Sequence, residues 1–121
     1  MDFLHISGFD VSPGKSREFQ EWFKANLSAL SNRAPDGIEL VGAYASMFSS
    51  EKQTGQYKMI WRMDSYGAQD RFAAAINDDA ELARLLGELW SFQDDRLGAG
   101  ESVELLKSVL DIAIWGDFPE E

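Results

Sequence analysis

The 121-residue chain contains no cysteine and a single histidine, His5. The absence of cysteine excludes a disulfide framework, thiolate zinc or iron–sulfur ligation and a cysteine nucleophile, and one imidazole disfavours a multi-histidine metal site. Positive charge is also scarce: 11 Lys and Arg stand against 21 Asp and Glu, for a formal net charge of −10 and an isoelectric point near 4.4. That field repels a phosphate backbone, and no basic cluster offsets it, so neither nucleic acid nor an anionic membrane surface is an expected partner. No apolar run approaches the roughly 18 residues of a membrane span. The opening Met1-Asp2-Phe3-Leu4-His5 has neither the basic start nor the apolar run of a signal peptide, which makes the cytoplasm the expected compartment. The serine-hydrolase elbow, the phosphate loop, the dinucleotide glycine fingerprint and the HExxH zinc motif are all missing. Gly98-Ala99-Gly100 reads as a turn after a helix, and neither Asp78-Asp79-Ala80-Glu81 nor Asp94-Asp95 has the spacing of a calcium loop.

What the chain does have is a composition suited to one domain over residues 1–121: 45% hydrophobic and 26% charged. Such a length buries roughly two-thirds of its unfolded surface, enough for a core without covalent staples. Residues 3–11 (FLHISGFDV) read as a strand, followed by Ser12 as helix N-cap and Pro13 at the first helical position. Phe19, Trp22, Phe23, Leu27 and Leu30 then recur at helical spacing until proline and glycine in NRAPDG stop the pattern. Residues 38–48 and 57–63 read as a hairpin around a polar turn. Asp64-Ser65 offers the next N-cap, and Phe72, Ala73 and Ile76 mark a helical piece interrupted at Asn77-Asp78-Asp79, where Asp78 or Asp79 can cap anew. Leu82, Leu85, Leu86, Leu89 and Trp90 complete an apolar stripe. Residues 103–115 supply the last strand, although 101–109 also read as helix.

The order strand, helix, strand, strand, helix, strand predicts an α+β, ferredoxin-like βαββαβ fold, an antiparallel sheet with its helices on one face. On the first strand Leu4 and Ile6 alternate with Phe3, His5, Ser7 and Phe9. On the third, Tyr57, Met59, Trp61 and Met63 alternate with Lys58, Ile60 and Arg62. A sheet this apolar on both sides is not expected to face water.

An opening strand ending in VSPGK, a helix of the type EFQEWF and a strand entering a helix as WRMDSYGAQDRF together resemble the dimeric α/β-barrel superfamily. That group includes antibiotic-biosynthesis-type monooxygenases, NIPSNAP-like proteins and small haem-degrading monooxygenases. The resemblance implies a homodimer in which two bare sheet faces press together into a barrel, and the apolar character of that face predicts an interface of strand residues and the C-terminal segment, with Trp115 and Phe118 as its candidates. The resemblance also implies a cavity for a small apolar or aromatic ligand. The haem-degrading members carry an asparagine where this chain has Ser7, a tryptophan where it has Met63, with Trp61 two residues earlier, and a histidine on the second helix. This chain has no histidine between residues 65 and 94, so no haem or other cofactor is expected.

Within that frame His5 is the candidate catalytic residue, a general base or hydrogen-bond donor near neutral pH, or else a half-buried histidine bonded to a carboxylate or carbonyl. Trp61 and Tyr57 share a face and either stack on a planar ligand or pack the core. Ser7 and Tyr44 offer hydroxyls to a ligand. Arg62 and Asp111 interrupt apolar strand runs and read as an anion anchor and an acid/base, or as an ion pair. The expected function is small-molecule binding with cofactor-independent monooxygenase chemistry on an aromatic or polyketide-like compound; the alternative is a non-catalytic ligand-binding or stress-related barrel protein.

Overall fold

The computed structural model describes residues 3–48, 56–94 and 102–108. Its elements are β1 (Phe3–Phe9), α1 (Ser16–Arg33), β2 (Ile38–Ala45), β3 (Tyr57–Met63), α2 (Ala68–Asp78), α3 (Ala80–Trp90) and β4 (Ser102–Lys107). The four strands form one antiparallel sheet in the order β2-β3-β1-β4. Alternation sorts the side chains. Phe3, Ser7 and Phe9 of β1, Ile38 and Leu40 of β2, and Met59, Trp61 and Met63 of β3 are buried in a single core with Phe19 and Leu30 of α1 and the leucines of α3. The helices therefore lie on one side of the sheet, as the pattern predicted.

The barrel expectation is corrected. The sheet is open: β2 and β4 are its two edges and each pairs with only one strand. The core is filled instead by helices laid across the sheet.

The helical half holds two further departures. Ser12 does not cap α1: its N–H donates to the carbonyl of Phe92 at 2.9 Å, while Val11 bridges to Gln93, so this backbone ties β1 to the segment after α3. Pro13 and Gly14 instead lie in a turn, and the helix starts at Ser16 behind Lys15 without side-chain capping. Asp64 likewise does not cap α2, which begins behind Gly67. Its carboxylate is taken by Arg71 at 2.5 Å, and its N–H donates to the carbonyl of Gly37. Gly37 has φ +86°, and a Cβ there would collide with the Asp64 carboxylate, so only glycine fits this junction between the α1–β2 and β3–α2 turns.

The break between α2 and α3 is a true boundary. Asp79 is extended (φ −119°, ψ 99°), and its carboxylate accepts from the N–H groups of Glu81 and Leu82 at 3.1 and 3.2 Å. This is an N-cap as the sequence suggested, reinforced by Arg33 from the end of α1 at 2.9 Å. Burial alone would raise the Asp79 carboxyl. The Arg33 guanidinium and the two capping N–H groups outweigh it and hold the carboxyl below its ordinary value. In α3, Leu82, Leu85, Leu86 and Leu89 follow the i, i+3, i+4, i+7 spacing and all are buried. Trp22 of α1 donates its indole N–H to Glu88 of α3 at 2.8 Å.

The sheet's ends were also shorter than expected. β2 stops at Ala45, with Met47 and Phe48 almost fully exposed, and residues 102–107 are strand, not helix. Asp111, Trp115 and Phe118 lie outside the described residues. No described helix is long and apolar enough to cross a membrane.

Candidate functional site

The register of β1 against β3 sets His5 opposite Trp61 and Ser7 opposite Met59. Both pairs point to the helix side, because Phe3, Ser7 and Phe9 on the same parity are core residues. Above them α2 and α3 do not close down completely. A cavity of about 240 Å³ remains, floored by His5, Ser7, Met59, Trp61 and Met63 and roofed by Gln69, Phe72, Ala73, Ile76, Leu86 and Trp90. The Trp61 and Phe72 rings meet edge to face at 4.9 Å and 85°, which fixes the indole as a rigid wall. Apart from His5, none of these residues is ionisable. The imidazole is therefore the one titratable side chain that a group bound there would meet.

Of the residues singled out from sequence, the structure therefore brings His5, Ser7 and Trp61 together. Tyr44 and Tyr57 sit elsewhere, in a wider groove of about 630 Å³ between α1 and the edge of the sheet. Arg62 is exposed on the helix-free face, across from Leu4 on β1 and Glu39 on β2. Asp111 is outside the described residues. Gln69, Met59 and Phe72 were missed as site residues. The signal for Gln69 was present: it stands three, four and seven residues before Phe72, Ala73 and Ile76, a polar side chain on an apolar stripe. The carboxylates with lowered pKa, Asp64, Asp79 and Glu81, owe the shift to Arg71, to Arg33 with capping N–H groups, and to Arg84, and none lines the cavity.

The cavity does not suit haem. α2 and α3 carry no histidine, and about 240 Å³ falls below the roughly 300–1,000 Å³ of pockets for drug-sized ligands, which a porphyrin exceeds. Among the described residues no cluster of three or more His, Asp or Glu is placed to hold a metal ion.

No family model matches the chain, and no curated protein does. Solved structures do match in fold. An uncharacterised NIPSNAP-like domain protein from Burkholderia xenovorans is 13% identical with a TM-score of 0.64, the match covering 98% of this chain and 91% of that one. A dimeric ferredoxin-like protein of unknown function from Thermobifida fusca is 14% identical, TM-score 0.58, over 88% and 90% of the two chains. SnoaB, a cofactor-independent oxygenase from Streptomyces nogalater, is 17% identical, TM-score 0.54, over 89% and 93%. The ferredoxin-like fold is thus shared with NIPSNAP-like proteins and with SnoaB.

Proposed function

We propose that the cavity under α2 and α3 binds a flat, electron-rich aromatic compound of one or two rings and that the protein oxygenates it without a resident cofactor. The observation that carries this reading is His5 beside Trp61 in a cavity otherwise free of ionisable groups. Size sets the ring count. An apolar cavity of about 150 Å³ accepts benzene, so about 240 Å³ suits one or two fused rings and not a four-ring polyketide. Trp61 and Phe72 form one wall, Met59 and Met63 supply polarisable contacts, and Ser7 and Gln69 hold a ring oxygen. His5 removes a proton from a phenolic or enolic substrate, and the resulting anion is electron-rich enough to react with O2. The substrate then supplies all the electrons: an activated CH2 becomes C=O, and O2 ends as one oxygen in the product and one in water. The cofactor-independent oxygenase of the same fold supports this choice of chemistry.

Oxygen uptake with a panel of naphthols and naphthohydroquinones, together with product mass, tests the reading. The expected result is turnover that His5→Ala abolishes while ligand affinity falls by only about 1–3 kcal/mol, the loss of one hydrogen-bonding group. Tight binding without oxygen uptake by any member overturns the enzymatic reading and leaves ligand binding alone, a reading favoured by the cavity's having one ionisable group and no second acid or base.

We also propose a homodimer through the helix-free face. Leu4, Ile6, Ile60, Val41 and Leu106 lie there without helical cover, Val41 and Leu106 being exposed. The dimeric protein of the same fold supports it. Sedimentation equilibrium at micromolar concentration should give twice 13.6 kDa, and a single-chain mass overturns the proposal.

A further inference from the structure

We infer that the groove between α1 and the edge of the sheet is a second binding site, selective for a planar aromatic carboxylate. At about 630 Å³ the groove falls within the range of small-molecule sites. Its base is aromatic: Phe19 is buried, with Tyr57 at 5.3 Å and Phe23 at 6.2 Å between ring centroids. Its rim on α1 is polar and cationic, since Arg17, Gln20 and Lys24 follow the i, i+3, i+7 spacing and share one helical face.

Charge makes this place unusual in the molecule. The chain has 21 acidic residues and a net charge of −10, yet the groove is lined among the described residues by two cations and no acid. Neither cation is committed to a partner of consequence. Arg17 stands 3.9 Å from Glu21 with both side chains largely exposed, a geometry worth little in water, and Lys24 makes no ion pair among the described residues. A guanidinium fork matches a carboxylate in plane, and an ammonium about two turns further along adds a second positive charge. On the opposite rim the β-bulge between Leu40 and Gly42 turns the edge strand. The Tyr44 ring lies against Gly42, which has φ +153° and where a Cβ would stand 3.4 Å from the ring. Tyr44, half exposed, stands along this rim between Ala43 and Ala45.

The two hollows would select opposite ligands: the cavity under α2 and α3 has no cation to balance a carboxylate, and the groove has two. Backbone amide NMR titration with 2-naphthoate, and with 2-acetylnaphthalene as its neutral counterpart, tests this. Naphthoate should shift the amides of Arg17, Gln20, Lys24, Ala43 and Ala45. Its affinity should fall roughly tenfold or more in Arg17→Gln/Lys24→Gln, and with added salt, while the neutral compound does not distinguish the variant from the parent. Both substitutions lie on an exposed helical surface and exchange residues of similar helix propensity, so the fold is retained. Unchanged naphthoate affinity in the double variant, or shifts confined to the amides around His5 and Trp61, overturns the inference without touching the proposal for the cavity.

Discussion

The cavity under α2 and α3 and the groove beside α1 are hollows on the same face of the same sheet, and they differ in how the helices stand over them. Two short helices joined at Asp79 straddle the first, so its walls are side chains from four elements and, among the described residues, His5 is the one ionisable group lining it. A single 18-residue helix flanks the second and leans on α3 through the Trp22–Glu88 hydrogen bond, with the edge strand β2 along its other side. The two hollows thus differ in the charge of their walls and not in how open they are. A hollow built from apolar faces offers a ligand one titratable group, whereas a hollow at an edge recruits the polar flank of a helix and binds by charge.

The sharpest way to break this contrast is to remove a wall from each. Trp61→Ala deletes a buried indole packed on Phe72 and should lower unfolding free energy by about 3–5 kcal/mol, whereas Tyr44→Ala, at a half-exposed edge position, should change it by less than about 0.5 kcal/mol. Urea unfolding of both variants measures the difference, and comparable losses would mean that the groove is as much a part of the core as the cavity.

The hinge between α2 and α3 comes next. Asp79→Ala removes the cap and the Arg33 contact and should lower the melting temperature by about 4 °C. Because the folded Asp79 carboxyl lies below its ordinary value, its contribution is complete above the ordinary value and is lost as the pH falls from there through the lowered folded one. The variant's melting temperature should consequently converge on that of the parent below about pH 4, and a gap that stays constant with pH would assign Asp79 a role independent of its charge. The smallest effect on stability, within about 0.5 kcal/mol, is expected for Ala73→Leu, an exposed position on the cavity's roof. It should nonetheless block a two-ring ligand in the cavity and leave naphthoate in the groove unaffected. Calorimetric titration of the two ligands reads both outcomes.

Much of the fold was legible because its signals are local. The alternation in FLHISGF, the bounds of YKMIWRM, the leucine spacing of α3 and the capping aspartate before it each state a periodicity or a turn chemistry that needs no distant partner. Where the reading failed, a non-local contact had taken over the residue. The backbone at Val11 and Ser12 is tied to Gln93 and Phe92 and turns at Pro13 and Gly14 before the helix starts at Ser16, and Asp64 is held by its N–H to the carbonyl of Gly37. For the site, the parity of His5, Ser7 and Trp61 was visible in sequence, and their meeting across one β1–β3 register is what that parity allows. Tyr57 shares the same parity yet lines the other hollow, because parity selects a face of the sheet and says nothing of position along it.

The sequence by itself determined which strand residues share a face, that the helical stretch breaks before Ala80 and that one imidazole is the chain's only histidine, since these follow from the periods of strand and helix and from composition. Only the tertiary structure decided that the sheet stays open, that α2 and α3 leave a gap above His5 and Trp61, and that the cations of α1 line a groove with no acid among the described residues. Each of those depends on the distance and tilt between elements far apart in the chain. Those quantities are fixed by how whole side-chain surfaces pack, and no local pattern encodes them.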